Sequence, residues 1–526
     1  MLFHSTSLSS FPPTNNEICS DFAFDVTLTF AAIWFEILFK MKIQGVPNQN
    51  PMLHHVVLER IFHFVEFDTK TFANFRLVCR QWMETSLTTW RKNAWLSVTT
   101  NCEHKGIDVV DFLELLKYQE HRLADLPFRK YIISKWCGPM PHCQYQGEIP
   151  DQTKFWMTVG PLMTHLSIKS THLYFICIRK VVVKLAPNLQ FLELSKNHYY
   201  FMDEWLSELQ RDRYYKHLLR VNTNLTHFKF NLEPYEDSTL SWLNDMILHF
   251  PNIRILEPIQ SDPRTTTRDF IWILQTLQSF RKHMGSHYLK DLSELHLLNS
   301  DDNRRNTFTL ELASALTCLQ FPLKVLKLDV GSETELENGE EALQKVLEGH
   351  SETLEELVLA REVDTFSYPD FPFGIQLPKL VKFSSTGKLV ENLEFLKKMP
   401  NLEFLYLEQE AEEITLEEYF WSDSVVFEKL KQFKITNKFC SRKQISTLGK
   451  MMPNLTNITI GFKTSSGFRT ACNVWKNLIH MNIYTVGGDE DAFWNSKDAE
   501  KYIRKNIQDL KHLKYLKIGE FVKYEE

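Results

Sequence analysis

Pro400-Asn401-Leu402-Glu403-Phe404-Leu405-Tyr406-Leu407 is the stretch from which the fold of this 526-residue chain can be read. Its last two leucines alternate with other residues, as one face of a short strand does, so Leu405 and Leu407 point the same way as each other. The pattern recurs at Pro187-Asn188-Leu189-Gln190-Phe191-Leu192-Glu193-Leu194 and at Pro453-Asn454-Leu455-Thr456-Asn457-Ile458-Thr459-Ile460. Weaker copies begin at Met163, Leu225, Ile253, Leu292, Leu323, Leu354, Leu380, Leu430, Leu478 and Leu513. That makes about thirteen units, spaced from the low twenties to the high thirties of residues. Two are degenerate: Pro258 and Ser385 stand where the third apolar residue belongs.

Stretches between the copies read as helices, for example Ser241 to Phe250, Glu340 to Leu347 and Lys497 to Leu510. One strand and one helix cannot bury an apolar face alone. Neighbours stacked in parallel can, with an inner sheet and an outer layer of helices. The expected class is therefore α/β. Over roughly 160–526 the chain resembles the leucine-rich-repeat horseshoe, a solenoid of parallel strands inside and helices outside.

Residues flanking the alternating apolar positions face the other side of the sheet, the concave side of such a solenoid. They include Glu193, His227, Lys229, Glu294, Val325, Lys327, Glu356, Val358, Glu408, Gln432, Lys434, Asn482 and Lys517. The best candidates for binding a target are Phe191, His296, Phe404, Tyr406, His480, Tyr484 and Tyr515. Aromatic anchors among polar residues suit a protein ligand. They do not make the basic stripe of a nucleic-acid binder.

Nearer the N-terminus, Val57, Leu58, Ile61, Phe62 and Val65 recur at helical spacing, with Glu59, Arg60 and His63 on the opposite side. Asp68 stands at an N-cap position before a second helical face made by Phe72, Phe75, Cys79 and Trp82. Val57-Leu58-x-x-Ile61-Phe62 followed by Leu77-Val78-Cys79-Arg80-x-Trp82 resembles the F-box. The sequence departs from that family where Leu53 is followed by His54 and His55 rather than by proline. The resemblance implies docking on the Skp adaptor of an SCF-type ubiquitin ligase through Leu53, Val57, Leu58, Ile61, Phe62, Phe75, Leu77, Val78, Cys79 and Trp82. It implies a non-catalytic substrate-recognition subunit, with target proteins held on the repeats. The alternative is a repeat scaffold or inhibitor whose F-box is degenerate and which has no ligase role.

The expected divisions are an N-terminal tail over 1–50, the F-box over 51–95, a linker and repeat cap over 96–160, and repeats over 161–526. The run from Val26 to Phe39 is shorter than the ~20 residues of a spanning helix and contains Glu36. It reads as a helix packed on the F-box or as a stretch ahead of a start at Met41, with a membrane anchor as the weaker alternative. Val109 to Tyr118 reads as a short amphipathic helix.

The net charge of −6 argues against a nucleic-acid partner. Nine scattered cysteines fit a reducing compartment, cytoplasmic or nuclear, without disulfides. Cys102, His104, Cys137, His142 and Cys143 match no zinc-ligand spacing, so no metal is expected. No nucleophile elbow, phosphate loop or metalloprotease helix occurs, and neither enzymatic chemistry nor a cofactor is expected. Asn224, Asn454 and Asn457 fit a glycosylation pattern but fall at repeat strands, which discounts them.

Overall fold

The computed structural model describes residues 84–85, 95–99, 107–108, 112–113, 128–133, 150–169, 181–195, 221–232, 246–260, 267–299, 309–319, 321–329, 339–360, 374–386, 393–408, 426–462, 464–484, 497–508, 510–518 and 522–525. The F-box-like segment, the 26–39 run and the Cys/His group of 102–143 lie outside the described residues, as does most of the 109–118 helix.

Two compact units make up the chain. One comprises 1–97 and 111–131, the other 98–110 and 132–526. In the first, Leu96, Phe112, Leu113 and Tyr131 are buried, and burial pushes the Tyr131 hydroxyl above the usual tyrosine range. Strand β1 (Trp95–Thr99) runs across the division, and so does β3 (Lys130–Ile133). In the second unit, Val98 and Thr99 pair in parallel with β2 (Ile107–Asp108).

The repeats build the rest. All but the last begin with a buried apolar residue, Leu513 being half-buried, and in each a strand starts two residues later. The strands are β4 (His165–Ile168), β5 (Phe191–Leu194), β6 (His227–Leu232), β7 (Ile255–Gln260), β8 (Glu294–Asn299), β9 (Val325–Asp329) and β10 (Glu356–Ala360). They continue with β11 (Lys382–Thr386), β12 (Phe404–Glu408), β13 (Gln432–Cys440), β14 (Asn457–Phe462), β15 (His480–Tyr484) and β16 (Tyr515–Ile518). From β4 to β16 every strand pairs in parallel with the next in sequence. The closing strand β17 (Val522–Glu525) lies antiparallel to β16. This is an α/β fold on a long parallel repeat sheet, consistent with a leucine-rich-repeat solenoid.

Two devices hold successive repeats in register. The carbonyl of the residue just before each strand accepts two N–H groups from the next repeat. Thr164 accepts from Gln190 at 2.7 Å and from Phe191 at 3.1 Å, and Ile479 accepts from Lys514 at 2.9 Å and from Tyr515 at 3.1 Å. Every junction from β4 to β16 repeats this arrangement. The second device explains the Pro-Asn that precedes the clearest copies. The Asn188 side-chain amide donates to the Pro161 carbonyl at 2.7 Å, Asn224 to Pro187 at 2.9 Å, and Asn252 to Thr223 at 2.9 Å. Asn401 donates to Pro378 at 2.5 Å and Asn454 to Glu428 at 2.8 Å. Each acceptor lies two residues before the first apolar residue of the preceding repeat, so the amides form a stitch along one edge. Asn224 and Asn454, which fitted the glycosylation pattern, spend their amides here.

The degenerate copies still form strands. Pro258 is buried in β7 opposite Phe230. It has no N–H to give, and it sits in the gap of the β7–β8 ladder between Leu256↔Leu295 and Ile259↔Leu298. Ser385 is buried in β11, its hydroxyl without a partner among the described residues. In both, the neighbouring strands supply the ladder and the local sequence yields.

Helices return the chain between strands: α1 (Pro150–Val159), α2 (Thr267–Met284), α3 (Leu310–Cys318), α4 (Gly339–His350), α5 (Arg442–Met451), α6 (Ser465–Val474) and α7 (Lys497–Ile507). Helix α2 packs on α3, α3 on α4, and α5 on α6. Ile445 and Leu448 of α5 and Phe468 and Ala471 of α6 are buried in the core with Trp475, whose indole N–H donates to the Met452 carbonyl at 2.9 Å. Gly160 follows α1 because a Cβ there would run into the Leu185 carbonyl. Among the described residues no helix is long and apolar enough to cross a membrane.

Candidate binding face

Parallel register turns the residues between the buried leucines into two continuous rows. The first passes through His165, Phe191, His227, Ile255, Glu294, Val325, Glu356, Lys382, Phe404, Gln432, Asn457, His480 and Tyr515. The second, two residues further along each strand, begins Ser167, Glu193, Lys229, Glu257 and His296. It ends Ser384, Tyr406, Lys434, Thr459, Asn482 and Lys517. The alternation of half-buried and buried residues along β5, β9 and β10 places these rows on the side of the sheet away from the leucines.

Over β4–β8 the face is closed on itself by charge. Glu257 is the hub. His227 Nε2 lies 3.3 Å from its carboxylate, His296 Nδ1 3.5 Å and Lys229 Nζ 3.0 Å. Lys229 also reaches Glu193 at 3.8 Å, and the Ser167 hydroxyl donates to Glu193 at 2.5 Å. Burial by itself would raise the Glu257 carboxyl. Hydrogen bonds from His227, His296 and Lys229, together with the Lys229 charge, outweigh it and hold the group well below the usual carboxylate range. The Phe191 ring is stacked with His165 at 5.6 Å and meets His227 edge-on at 4.7 Å. His296, expected as a contact residue, is instead buried, with Glu257 and Glu294 about it.

Over β10–β16 the face opens into a hollow of about 480 Å³. Its lining includes Lys382, Phe404, Tyr406, Lys434, His480, Asn482 and Tyr515. Five of the seven residues expected to contact a target are thus placed as follows: Phe404, Tyr406, His480 and Tyr515 come together in the hollow, and Phe191 lies apart in the charged half. His296 belongs to the Glu257 cluster, and the Tyr484 side chain lies outside the described residues. The rings are not bare. Lys434 Nζ sits 4.0 Å over the Tyr406 ring, and Lys382 Nζ lies 5.7 Å from the Phe404 centroid and 3.1 Å from Glu356. His480 and Tyr515 are tilted neighbours at 5.8 Å.

Glu257 and Lys382 were missed in the sequence because both belong to degenerate copies, those of Pro258 and Ser385. A signal was nonetheless present: the offset from the first apolar residue of each copy is the same for every row member. Among the described residues no group of three His, Cys, Asp or Glu is placed to hold a metal ion. Cys318, at the end of α3, is an exposed free thiol.

No protein-family model matches the chain, and no curated protein matches it either. Solved structures similar to it include a leucine-rich repeat-containing protein, LegL7, from Legionella pneumophila, 11% identical, covering 70% of this chain and 95% of that one with a TM-score of 0.30. A Bacteroides fragilis protein is 13% identical over 62% of this chain and 84% of its own, with a TM-score of 0.28. At these TM-scores the likenesses add nothing to the architecture, which stands on the repeat junctions and the parallel register.

Proposed function

We propose that the chain is a non-catalytic protein-recognition subunit whose repeat face holds a target protein. The observation that carries this reading is the open hollow on the outward rows, where aromatic rings stand among cations and amides. Such a surface suits a protein ligand: rings supply contact area at low entropic cost, and polar groups around them fix orientation.

The F-box resemblance extends the proposal. The Skp adaptor would dock on Leu53, Val57, Leu58, Ile61, Phe62, Phe75, Leu77, Val78, Cys79 and Trp82, and an SCF-type ubiquitin ligase would modify whatever the repeats hold. The chain would act by proximity, raising the effective concentration of target lysines at the ligase. A cytoplasmic or nuclear location goes with that role. The second reading, a binding scaffold without a ligase role, draws on His54 and His55 standing where the family carries proline.

Co-expression with the Skp adaptor tests the extension. The full chain is expected to co-purify in a stoichiometric complex, and Ile61→Asp with Trp82→Ala to abolish it while the circular dichroism of the repeats is unchanged. Undiminished capture by the double variant removes the docking assignment. A folded parent that captures no adaptor establishes the scaffold reading.

A further inference from the structure

We propose that the hollow over β11–β15 is the seat of an acidic peptide segment, with one carboxylate or phosphate group against Lys434 and a backbone amide against Asn482. This deepens the protein-binding reading above and rests on it.

Charge is distributed unequally along the two rows. In the half around Glu257 the carboxylates of Glu193, Glu257 and Glu294 already have Ser167, Lys229 and the two histidines about them. In the hollow, Lys382 is matched by Glu356 at its edge. Lys434 is not: among the described residues it has no carboxylate partner, and its ammonium rests on the Tyr406 ring. Lys517, next to Asn482 in register, also has no carboxylate partner among the described residues. A cation held over a ring keeps its charge available to an anion arriving from the open side, and the ring fixes where that charge is.

Asn482 gives the second point. Its amide nitrogen lies 3.5 Å from Thr459 Oγ1, a long contact, and its Oδ1 is buried with no partner among the described residues. Asn482 lines the hollow, and a turn of its side-chain amide would bring that acceptor to a peptide N–H laid across the strands, a donor of the right kind. Tyr406, Lys434, Thr459 and Asn482 stand on four successive strands in one row. At about 4.8 Å per strand the row spans roughly 14 Å. About four residues of extended chain cover that length. A segment laid across the strands would bring its acidic side chain to Lys434 and its backbone to Asn482. The cations are too few, and Glu356 too close, for a phosphodiester backbone.

Four pools of synthetic random peptides, carrying a central Glu, phosphoserine, Gln or Lys, are passed over the immobilised full chain beside a single-stranded oligonucleotide. The Glu pool, the phosphoserine pool or both are expected to be retained above the other two. Which of them is retained tells a carboxylate seat from a phosphate seat. Lys434→Glu is expected to lower that retention about tenfold, and Lys434→Gln to lower it less. Lys501→Glu, the same charge change on the outer helix α7, is expected to leave it unchanged. Melting curves of each variant establish that it is folded, and the Gln variant keeps the test alive if the Glu variant is not. Equal retention of the Gln or Lys pool overturns the anionic preference. If that retention is lost in Tyr406→Ala, protein binding at this face stands without it. Preference for the oligonucleotide, or retention indifferent to Lys434, overturns the seat itself, and no retention of any pool overturns both the seat and the reading beneath it.

Discussion

Glu257 shows how much one side chain in this sheet depends on its neighbours in register. Three donors converge on its carboxylate from β6 and β8, and they win over the burial that would otherwise neutralise it. Its folded pKa lies below the ordinary 4.5, so its contribution is fully present above about that pH and is lost as pH falls through the lowered folded value. Glu257→Gln is expected to cost about 1–2 kcal/mol at neutral pH. It should also flatten the acid limb of stability below pH 4.5, read from urea titrations across that range. His350 works in the same direction from a different cause. Burial lowers its pKa below 6.5, opposed by its hydrogen bond to the Leu316 carbonyl, and its Nε2 is buried without a partner among the described residues. A histidine kept neutral in the fold stabilises fully above pH 6.5 and progressively less below it. His350→Gln should reduce that slope, and an unaltered slope assigns it to other groups. Ser385 is the opposite case. Its buried hydroxyl has no partner among the described residues, so Ser385→Ala is expected to stabilise by about 1 kcal/mol, seen as a raised urea midpoint at constant m-value.

At the scale of elements, the spacing of apolar residues was enough to place the strands, because the same turn precedes several of them. Leu189, Leu402 and Leu430 all donate their N–H to the carbonyl three residues back, and the strand follows. The helices were legible where their apolar faces were long, as in the 340–347 stretch, which lies in α4, and the 497–510 stretch, of which 497–507 form α7. Helix α5 was not anticipated. It begins with a capping box: Ser441 Oγ accepts the Gln444 N–H at 3.4 Å, and the Gln444 side chain accepts the Ser441 N–H at 2.6 Å. The Ser441-x-x-Gln444 signature stands in the sequence, but its helix is only ten residues long and sits between two strands. Ser441→Ala is expected to cost about 1 kcal/mol, measurable as a lower melting midpoint, with Ser441→Asp restoring most of it. The binding face was legible in part for a related reason. Which residues face outward follows from alternation within one strand. Which of them touch, such as Lys434 on Tyr406, follows from register between strands, which the degenerate copies at Pro258 and Ser385 obscured.

At the scale of the repeat unit as a whole, the strand order carries an energetic consequence. Among the described residues from β4 to β16 each strand bonds only to the strands before and after it, and the helix contacts named above also join neighbours. Among those residues no strand returns to pair with a distant one along that stretch. Stability in such an array is close to a sum of local terms and nearest-neighbour interfaces, so damage stays near its origin. Leu192 in β5 is fully buried, and Leu192→Asp would place an unpaired charge in the core there. Hydrogen exchange followed by mass spectrometry is expected to show lost protection in β4, β5 and β6, with β12–β15 as protected as in the parent. The peptide-binding hollow, built on those later strands, should then keep its ligand in the same variant. Uniform loss of protection from β4 to β16 would show instead that the Asn stitch and the doubled junction bonds fuse the repeats into one cooperative block. In that case a lesson learned at any one repeat would apply to the binding face as well.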